Sequence, residues 1–170
     1  IARERQGLAG LKGLADRIID TSAFTVHQLR DELRRLLADA AGGETAMRVV
    51  LLSFGYKYGL PTDTDIVLDL RFLPNPFFVE ELRVLDGTNA AVARYVLERT
   101  ETQEFLALTT ALLYFSLPLY VREGKRYLTV GLGCTGGRHR SVALVDELER
   151  RLAGHGYPVR VQHRDVSRQT

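Results

Sequence analysis

Cysteine is almost absent from this chain of 170 residues, since Cys134 is the only one, and tryptophan is missing altogether. A single thiol excludes an internal disulfide framework and any zinc site built from several cysteines. Long charge-free runs are also scarce. The longest spans residues 105–121 and includes two threonines, a serine and a proline, short of the roughly 20 apolar residues that a membrane-spanning helix needs. We therefore predict a buried helix there, no membrane segment and, without a signal peptide at the start, a cytoplasmic protein.

The remaining composition is that of a globular protein, with 45% hydrophobic and 26% charged residues. The net charge of +2 is unevenly distributed. Residues 1–121 contain 13 Lys and Arg against 16 Asp and Glu, whereas residues 122–170 contain 10 against 5. A basic C-terminal third favours a phosphorylated ligand or a nucleic acid, although a solvated basic surface gives the same pattern.

The pattern of apolar residues predicts two domains. Residues 17–25 and 25–40 are typical of a strand and a helix, and the small polar segment 41–45 is typical of a linker. Further strands are predicted at 47–53, 65–70, 127–133 and 158–162, and helices at 89–99, 102–117 and 141–153. Strands that alternate with helices favour a three-layer α/β domain with a largely parallel sheet, in which ligands bind at the carboxyl ends of the strands.

The glycine-rich segment 131–141 leaves a predicted strand and enters a helix. Backbone N–H groups at such a turn can converge on an anion at the positive end of the helix. Glycines let the main chain approach a phosphate, hydroxyls donate hydrogen bonds, and arginine binds phosphate oxygens in pairs. The segment therefore predicts a phosphate site, with a plain glycine turn as the alternative. The candidate residues are Thr135, Gly136, Gly137, Arg138, His139, Arg140 and Ser141. His139 can instead cap the helix.

The same residues admit a second interpretation, a cysteine-dependent phosphatase. Cys134, Arg140 and Ser141 have the spacing of the C-x5-R-[ST] loop, and Asp69 is a candidate proton donor to the leaving group. Gly133 stands where that loop normally has histidine. A buried, unreactive thiol is the simpler expectation.

Polar residues also follow the first two strands of the second domain. Lys57, Arg71 and Asn75 converge with the glycine-rich segment if these strands are parallel neighbours. Alternatively, Arg71 and Asp69 form a structural ion pair. The neighbouring acidic residues match no ligand spacing, so we expect no metal.

The C-terminal tail is basic. His163, Arg164 and Arg168 lie close together in the sequence and are candidates for contact with RNA phosphates. No aromatic residues alternate with them to stack on bases.

Four segments resemble the RapZ family of RNase adapter proteins, which are also described as P-loop nucleotide-binding proteins. They are SFGYKYG (53–59), DLRFLPNP (69–76), DGTN (86–89) and GCTGGRHRS (133–141). Residues 1–43 are similar to the end of that family's N-terminal nucleotide-binding domain, and residues 44–170 to its C-terminal domain. The motif G-x-x-x-x-G-K-[ST] does not occur in this chain. We therefore expect no catalysis and no cofactor in this piece, with ATP or GTP bound by the full-length protein.

The resemblance further implies a domain similar to a phosphofructokinase subdomain. It implies a sensor of an amino-sugar phosphate, glucosamine-6-phosphate in enterobacterial members, contacted by Thr135, Gly136 and Arg140. It also implies binding of small regulatory RNA, an endoribonuclease partner and a homo-oligomer. This sequence departs from enterobacterial members at Phe77, where they have histidine, and in its tail, where arginines replace a lysine-rich segment.

Overall fold

The computed structural model describes residues 47–168 without interruption, and a few isolated positions between residues 19 and 33. Of the strand predicted at 17–25, residues 19, 21, 22, 24 and 25 are described and none of them is in a strand, whereas most of the helix predicted at 25–40 and all of the linker at 41–45 lie outside the described residues. The chain divides into two compact units, Ile1–Thr45 and Ala46–Thr170. The assignment of residues 1–43 to a nucleotide-binding domain stays a prediction.

Residues 47–168 form four strands and four α-helices, with no α-helix between the first two strands and three between the second and the third. The strands β1 to β4 are Arg48–Gly55, Ile66–Asp69, Tyr127–Cys134 and Val159–His163. The helices α1 to α4 are Glu80–Arg83, Ala90–Leu97, Thr100–Arg122 and Arg140–Leu152. Two 3-10 turns lie at Tyr56–Tyr58 and Pro76–Phe78. The four strand predictions between residues 47 and 168 are confirmed to within about two residues, whereas α1 and the 3-10 turns, which are too short to show a periodic pattern, were not predicted.

The strands form one sheet in the order β2-β3-β1-β4, and every pair is parallel. This confirms the α/β class with a parallel sheet flanked by helices. Gly55, at the end of β1, is level with Cys134 at the end of β3, and Asp69, at the end of β2, pairs with Gly133. The segments that follow β1, β2 and β3 therefore begin at the same edge of the sheet.

Helix α4 packs directly on the sheet, and α2 and α3 pack against α4. Alternate residues of β1 and β3, such as Val49 and Val130, are fully buried in this core, as strand geometry requires. On the opposite face of the sheet lies the ring of Phe54. A Cβ at Gly133 would come within 2.4 Å of that ring, so glycine in β3 leaves room for the aromatic side chain.

Helix α3 differs from the predicted buried helix at 102–117. It is 23 residues long and continues through Pro118, which lacks an N–H to donate. One face is buried, with Leu106, Leu113 and Leu117 in the core, but Leu108 and Phe115 are 66% and 71% exposed. By length and composition alone, α3 is the one described helix that could cross a membrane, and a single such helix is weak evidence of a membrane segment. The prediction of burial is therefore correct for one face only.

Candidate functional site

A cavity of about 640 Å³ opens at the carboxyl edge of the sheet. It is lined by segments that follow β1, β2 and β3, which is where parallel α/β sheets place ligands. The predicted site residues that line it are Lys57, Arg71, Asn75, Thr135, Gly136, Arg138, His139 and Arg140. Two others, Gly137 and Ser141, do not line it. The lining also includes Leu73, Phe77 and Phe78, which were not predicted as site residues, and Cys134, which was a candidate only in the phosphatase interpretation.

Gly137 has a structural role in the glycine-rich loop and does not form part of the cavity wall. Its φ of 71° is in the left-handed region that favours glycine. A Cβ here would lie 2.5 Å from the backbone nitrogen of Gly55, so the two main chains touch. The buried carboxylate of Asp165 accepts a hydrogen bond from the same Gly55 N–H at 2.8 Å. The end of β1, the glycine-rich loop and the segment after β4 are thereby packed together.

Ser141 is fully buried in the first turn of α4, so its hydroxyl is not available to a ligand in the cavity. Its Oγ lies 3.2 Å from the Sγ of Cys134, which also accepts a hydrogen bond from the Gly137 N–H at 3.2 Å. The prediction of a ligand-binding hydroxyl at this position does not match the geometry. The serine instead holds the thiol within the loop.

Arg140 connects the glycine-rich loop to the segment after β2. Although it lines the cavity, it is only 3% exposed. Nη1 donates to the carbonyls of Arg71 and Leu73, at 3.0 and 2.9 Å, and Nη2 donates to Thr135 Oγ1 at 3.2 Å. Burial lowers the pKa of the guanidinium, with the nearby Cys134 and Asp69 opposing that shift. Nε is buried without a partner in the described residues, which leaves one donor unused.

His139 occupies the N-cap position of α4, as the alternative prediction held, and its carbonyl accepts the Ala143 N–H at 3.0 Å, although its side chain makes no capping hydrogen bond. The residue is 6% exposed, and its Nε2 is buried with no partner among the described residues. Burial is the main cause that lowers the pKa of the imidazole, and the charges of Arg138 and Arg140 lower it further. The ring is therefore neutral near pH 7 with a single N–H, which bonds to the backbone of Arg83 and Leu85, so the partnerless Nε2 is an acceptor.

The guanidinium of Arg138 donates hydrogen bonds to main-chain carbonyls. Its Nη2 and Nε donate to the carbonyls of Val84, at 2.8 Å, and Leu85, at 3.3 Å. It therefore anchors the segment that follows α1 to the glycine-rich loop.

The cations after β1 and β2 differ in how they are held. Arg71 pairs with Asp69 through three side-chain hydrogen bonds, the shortest 2.6 Å, and its guanidinium lies 4.1 Å from the ring centroid of Tyr56. The ion-pair interpretation of Arg71 is confirmed, and the residue also lines the cavity, where contact with a ligand stays a prediction. Lys57 is exposed, and within residues 47–168 no carboxylate pairs with it. Its charge is the one most available to a ligand.

An apolar wall completes the cavity. It consists of Leu73, Phe77 and Phe78, with Phe78 79% exposed and the two rings edge to face at 5.9 Å. Asn75 lines the cavity too, but its side-chain oxygen accepts a hydrogen bond from the Phe77 N–H, which starts the 3-10 turn. The sequence feature that could have predicted this apolar wall is the pair of phenylalanines after Asn75-Pro76. Sequence reasoning considered only the first of them, as a departure from a family pattern.

The basic tail residues are engaged within the domain. His163 hydrogen-bonds to Ser53 at 2.9 Å and contacts Asp146 at 3.1 Å. Arg164 and Arg168 both pair with the buried carboxylate of Asp165, at 2.7 and 3.1 Å. None of the three lines the cavity. Contact between these residues and RNA stays a prediction.

The geometry does not favour the phosphatase alternative. Cys134, Arg140 and Ser141 do come together, but the thiol side chain is 3% exposed. The candidate acid is also unsuitable, because the hydrogen bonds from Arg71 are the main cause that lowers the pKa of Asp69. A general acid must hold its proton near neutral pH, and this carboxylate does not.

Acidic groups do not cluster in the described part of the chain. No set of three or more His, Cys, Asp or Glu there could hold a metal ion. Asp65 is instead paired with Lys125 at 2.6 Å and accepts a hydrogen bond from the Thr129 N–H.

Fold and site together define an α/β domain with a parallel sheet and a cation-lined cavity at its carboxyl edge. The sequence model described as the RapZ C-terminal domain matches residues 47–167. The chain is 50% identical over 169 residues to a nucleotide-binding protein of Anaeromyxobacter sp. (strain K), and the aligned region covers 99% of this chain and 57% of that protein. It is 52% identical over 165 residues to one of Geobacter sulfurreducens, covering 97% and 58%, and 53% identical over 172 residues to one of Saccharopolyspora erythraea, covering 99% and 58%. The chain belongs to the RapZ family and spans somewhat more than half the length of these relatives.

Proposed function

We propose that unit 46–170 is a non-catalytic sensor domain that binds a phosphorylated metabolite in the cavity at the carboxyl edge of the sheet. The proposed ligand class is the amino-sugar phosphates, of which the family resemblance implies glucosamine-6-phosphate. The domain acts within a regulatory, nucleotide-binding protein.

An unused donor at the cavity is the observation that carries this proposal. Arg140 Nε is buried without a partner among the described residues, and the side chain lines the cavity. A buried donor without a partner is costly, and a bound anion that accepts its hydrogen bond removes that cost. Lys57 adds a positive charge at the same cavity. Charge-assisted hydrogen bonds of this kind are the usual means of holding a phosphate.

Calorimetric titration of the chain with glucosamine-6-phosphate and with inorganic phosphate tests the proposal. Lys57→Ala should weaken binding about tenfold, because a hydrogen bond to a charged group is lost. Arg94→Ala is the matched control, since Arg94 is an exposed cation that does not line the cavity. It should bind like the parent chain.

Absence of binding by any sugar phosphate at millimolar concentration would contradict the proposal. Equal losses of affinity in Lys57→Ala and Arg94→Ala would show that the effect comes from the net charge of the chain, and would contradict the proposed site. Circular dichroism of each variant verifies that the fold is retained.

For the whole protein, we propose that ATP or GTP binds to a part outside this chain. The names of the relatives, all nucleotide-binding proteins, support this. Binding of small RNA, an endoribonuclease partner and oligomer formation stay predictions from the family resemblance.

A further inference from the structure

Helix α3 has an apolar stripe on its exposed face, formed by Leu108, Leu112, Phe115 and Leu119. These residues recur at intervals of four and three positions and are between 44% and 71% exposed. No charged residue occurs from 105 to 121. A helix at a protein surface normally presents a charged or polar face to water, whereas α3 is apolar both on this face and on the face buried in the core. Contiguous exposed apolar surface of this kind marks an interaction site.

Opposite charges lie at the two ends of this α3 stripe. The same spacing of four and three positions continues through the half-buried Phe105 to Glu101 in the first turn of α3, and to Arg122 in the last turn. Side chains at these intervals share one face of a helix. Glu101 and Arg122 are exposed, and neither forms an ion pair within residues 47–168. Over about 30 Å, this face therefore runs from an acid through apolar residues to a base.

We propose that the α3 stripe is the contact surface of a symmetric dimer, in which α3 of a second copy of this chain packs antiparallel on the first. Charge complementarity selects this partner. In the antiparallel arrangement, Glu101 of each copy meets Arg122 of the other, whereas a parallel arrangement places like charges together. A twofold axis near Leu112 repeats every contact, so each residue of the stripe contributes twice. The proposal goes beyond the proposed function and does not depend on the ligand.

Phe72 adds apolar surface beside the α3 stripe. It is 62% exposed, and its ring lies edge to face with that of Phe105, with 5.6 Å between the centroids. A single pair of helices is nevertheless small beside the about 1,200 to 2,000 Å² that stable complexes bury. We therefore expect a dimer that forms at micromolar concentrations of the chain. The family resemblance implies a homo-oligomer without a contact surface, and the α3 stripe supplies a surface with a defined orientation.

The first test is analytical ultracentrifugation of the whole chain over a series of concentrations. We expect the parent chain to pass from monomer to dimer, and Phe115→Gln to raise the dimer dissociation constant at least about tenfold, because an aromatic ring is lost twice at a twofold contact. Val84→Gln is the matched control, since Val84 is 72% exposed but lies at the end of α1, outside the stripe. It should leave the dissociation constant unchanged. A parent chain that is monomeric at every concentration, or equal effects of the two substitutions, would overturn the proposal.

Charge reversal tests the antiparallel orientation. Glu101→Arg and Arg122→Glu should each weaken the dimer about tenfold at low ionic strength, because each places two pairs of like charges at the contact. The double variant restores both attractive pairs and should dimerise like the parent chain. Both substitutions oppose the dipole of α3, so recovery in the double variant cannot come from a more stable helix. A double variant that dimerises no better than the single variants would overturn the proposal, and thermal unfolding verifies that each variant is folded.

A lipid surface is the other occupant that an apolar helix face could have, and it gives a different result. The probe is a set of vesicles of phosphatidylcholine and phosphatidylglycerol, sedimented with the parent chain and with Phe115→Gln. A monomeric parent chain that sediments with the vesicles, and a Phe115→Gln variant that does not, would assign the α3 stripe to a membrane surface and overturn the proposal. We expect the parent dimer to remain in the supernatant.

Discussion

Replacing Arg140 by alanine should destabilise the domain even without a ligand. The guanidinium holds the carbonyls of Arg71 and Leu73 and the hydroxyl of Thr135, and it is almost fully buried. The bond to the Leu73 carbonyl is buried, and a buried acceptor left without its donor costs about 1 to 3 kcal/mol, whereas the other two acceptors are partly buried and cost less. Removing a buried charge recovers part of this lost free energy, because the charge is costly to bury, as the lowered pKa of Arg140 indicates. A net loss of about 2 to 3 kcal/mol corresponds to a decrease in Tm of roughly 10 °C for a unit of this size.

The assay is thermal unfolding followed by circular dichroism, with Arg140→Lys as the comparison. Lysine keeps the charge but cannot donate from a planar fork to two carbonyls and a hydroxyl, so it should recover less than half of the loss. A Tm of Arg140→Ala within about 1 °C of the parent would refute the reasoning. The result also bears on ligand binding, because a loss of affinity in Arg140→Ala mixes misplaced loops with a missing contact. Lys57 is the cleaner residue for binding experiments.

Two further substitutions have definite expected outcomes. Gly137→Ala should lower the free energy of unfolding in urea by more than about 2 kcal/mol, because a positive φ combines with a 2.5 Å clash on Gly55. Gly154→Ala, at a φ of 83° with nothing within 4 Å, should lower it by only about 1 kcal/mol. Equal urea midpoints of the two variants would contradict this difference. For His139, burial and the Arg138 charge lower the pKa in the folded state, so the unfolded chain binds the proton first and stability should fall as the pH drops below about 6.5. His139→Gln should flatten the dependence of Tm on pH between 7.5 and 5.5, and parallel curves for the two chains would show that other groups cause it.

Much of the fold was predictable because strands buried on both faces are continuous apolar runs. β1 and β3 were located this way, and their alternation with helices indicated a parallel sheet. Helix α3 shows the limit of such reasoning. A proline normally indicates the end of a helix. Here Leu117, next to Pro118, lies in the core, and the helix continues for one more turn. Tertiary packing decided the boundary, and no local pattern carries that information.

The meeting place of the candidate site was also predictable, since segments after parallel strands share one edge. The roles of individual residues were not. Arg140 was expected to bind phosphate, but its Nη1 holds two main-chain carbonyls, and such contacts have no signature in a sequence. Asp165 was missed for a similar reason. It lies between the tail arginines as an ordinary acidic residue, and only the folded chain shows it bonded to the Gly55 N–H.

The strand order has a consequence for how the domain forms. Adjacent strands pair across long stretches of chain, β1 with β3 and β4, and β2 with β3, so residues 47–168 contain no hairpin to act as a local nucleus. Such nonlocal pairing folds slowly. Asp165, which secures Gly55, is synthesised after every residue that lines the cavity. During translation the cavity can therefore be completed only when the last strand has left the ribosome, and a shortened chain would be a poor receptor for the proposed ligand.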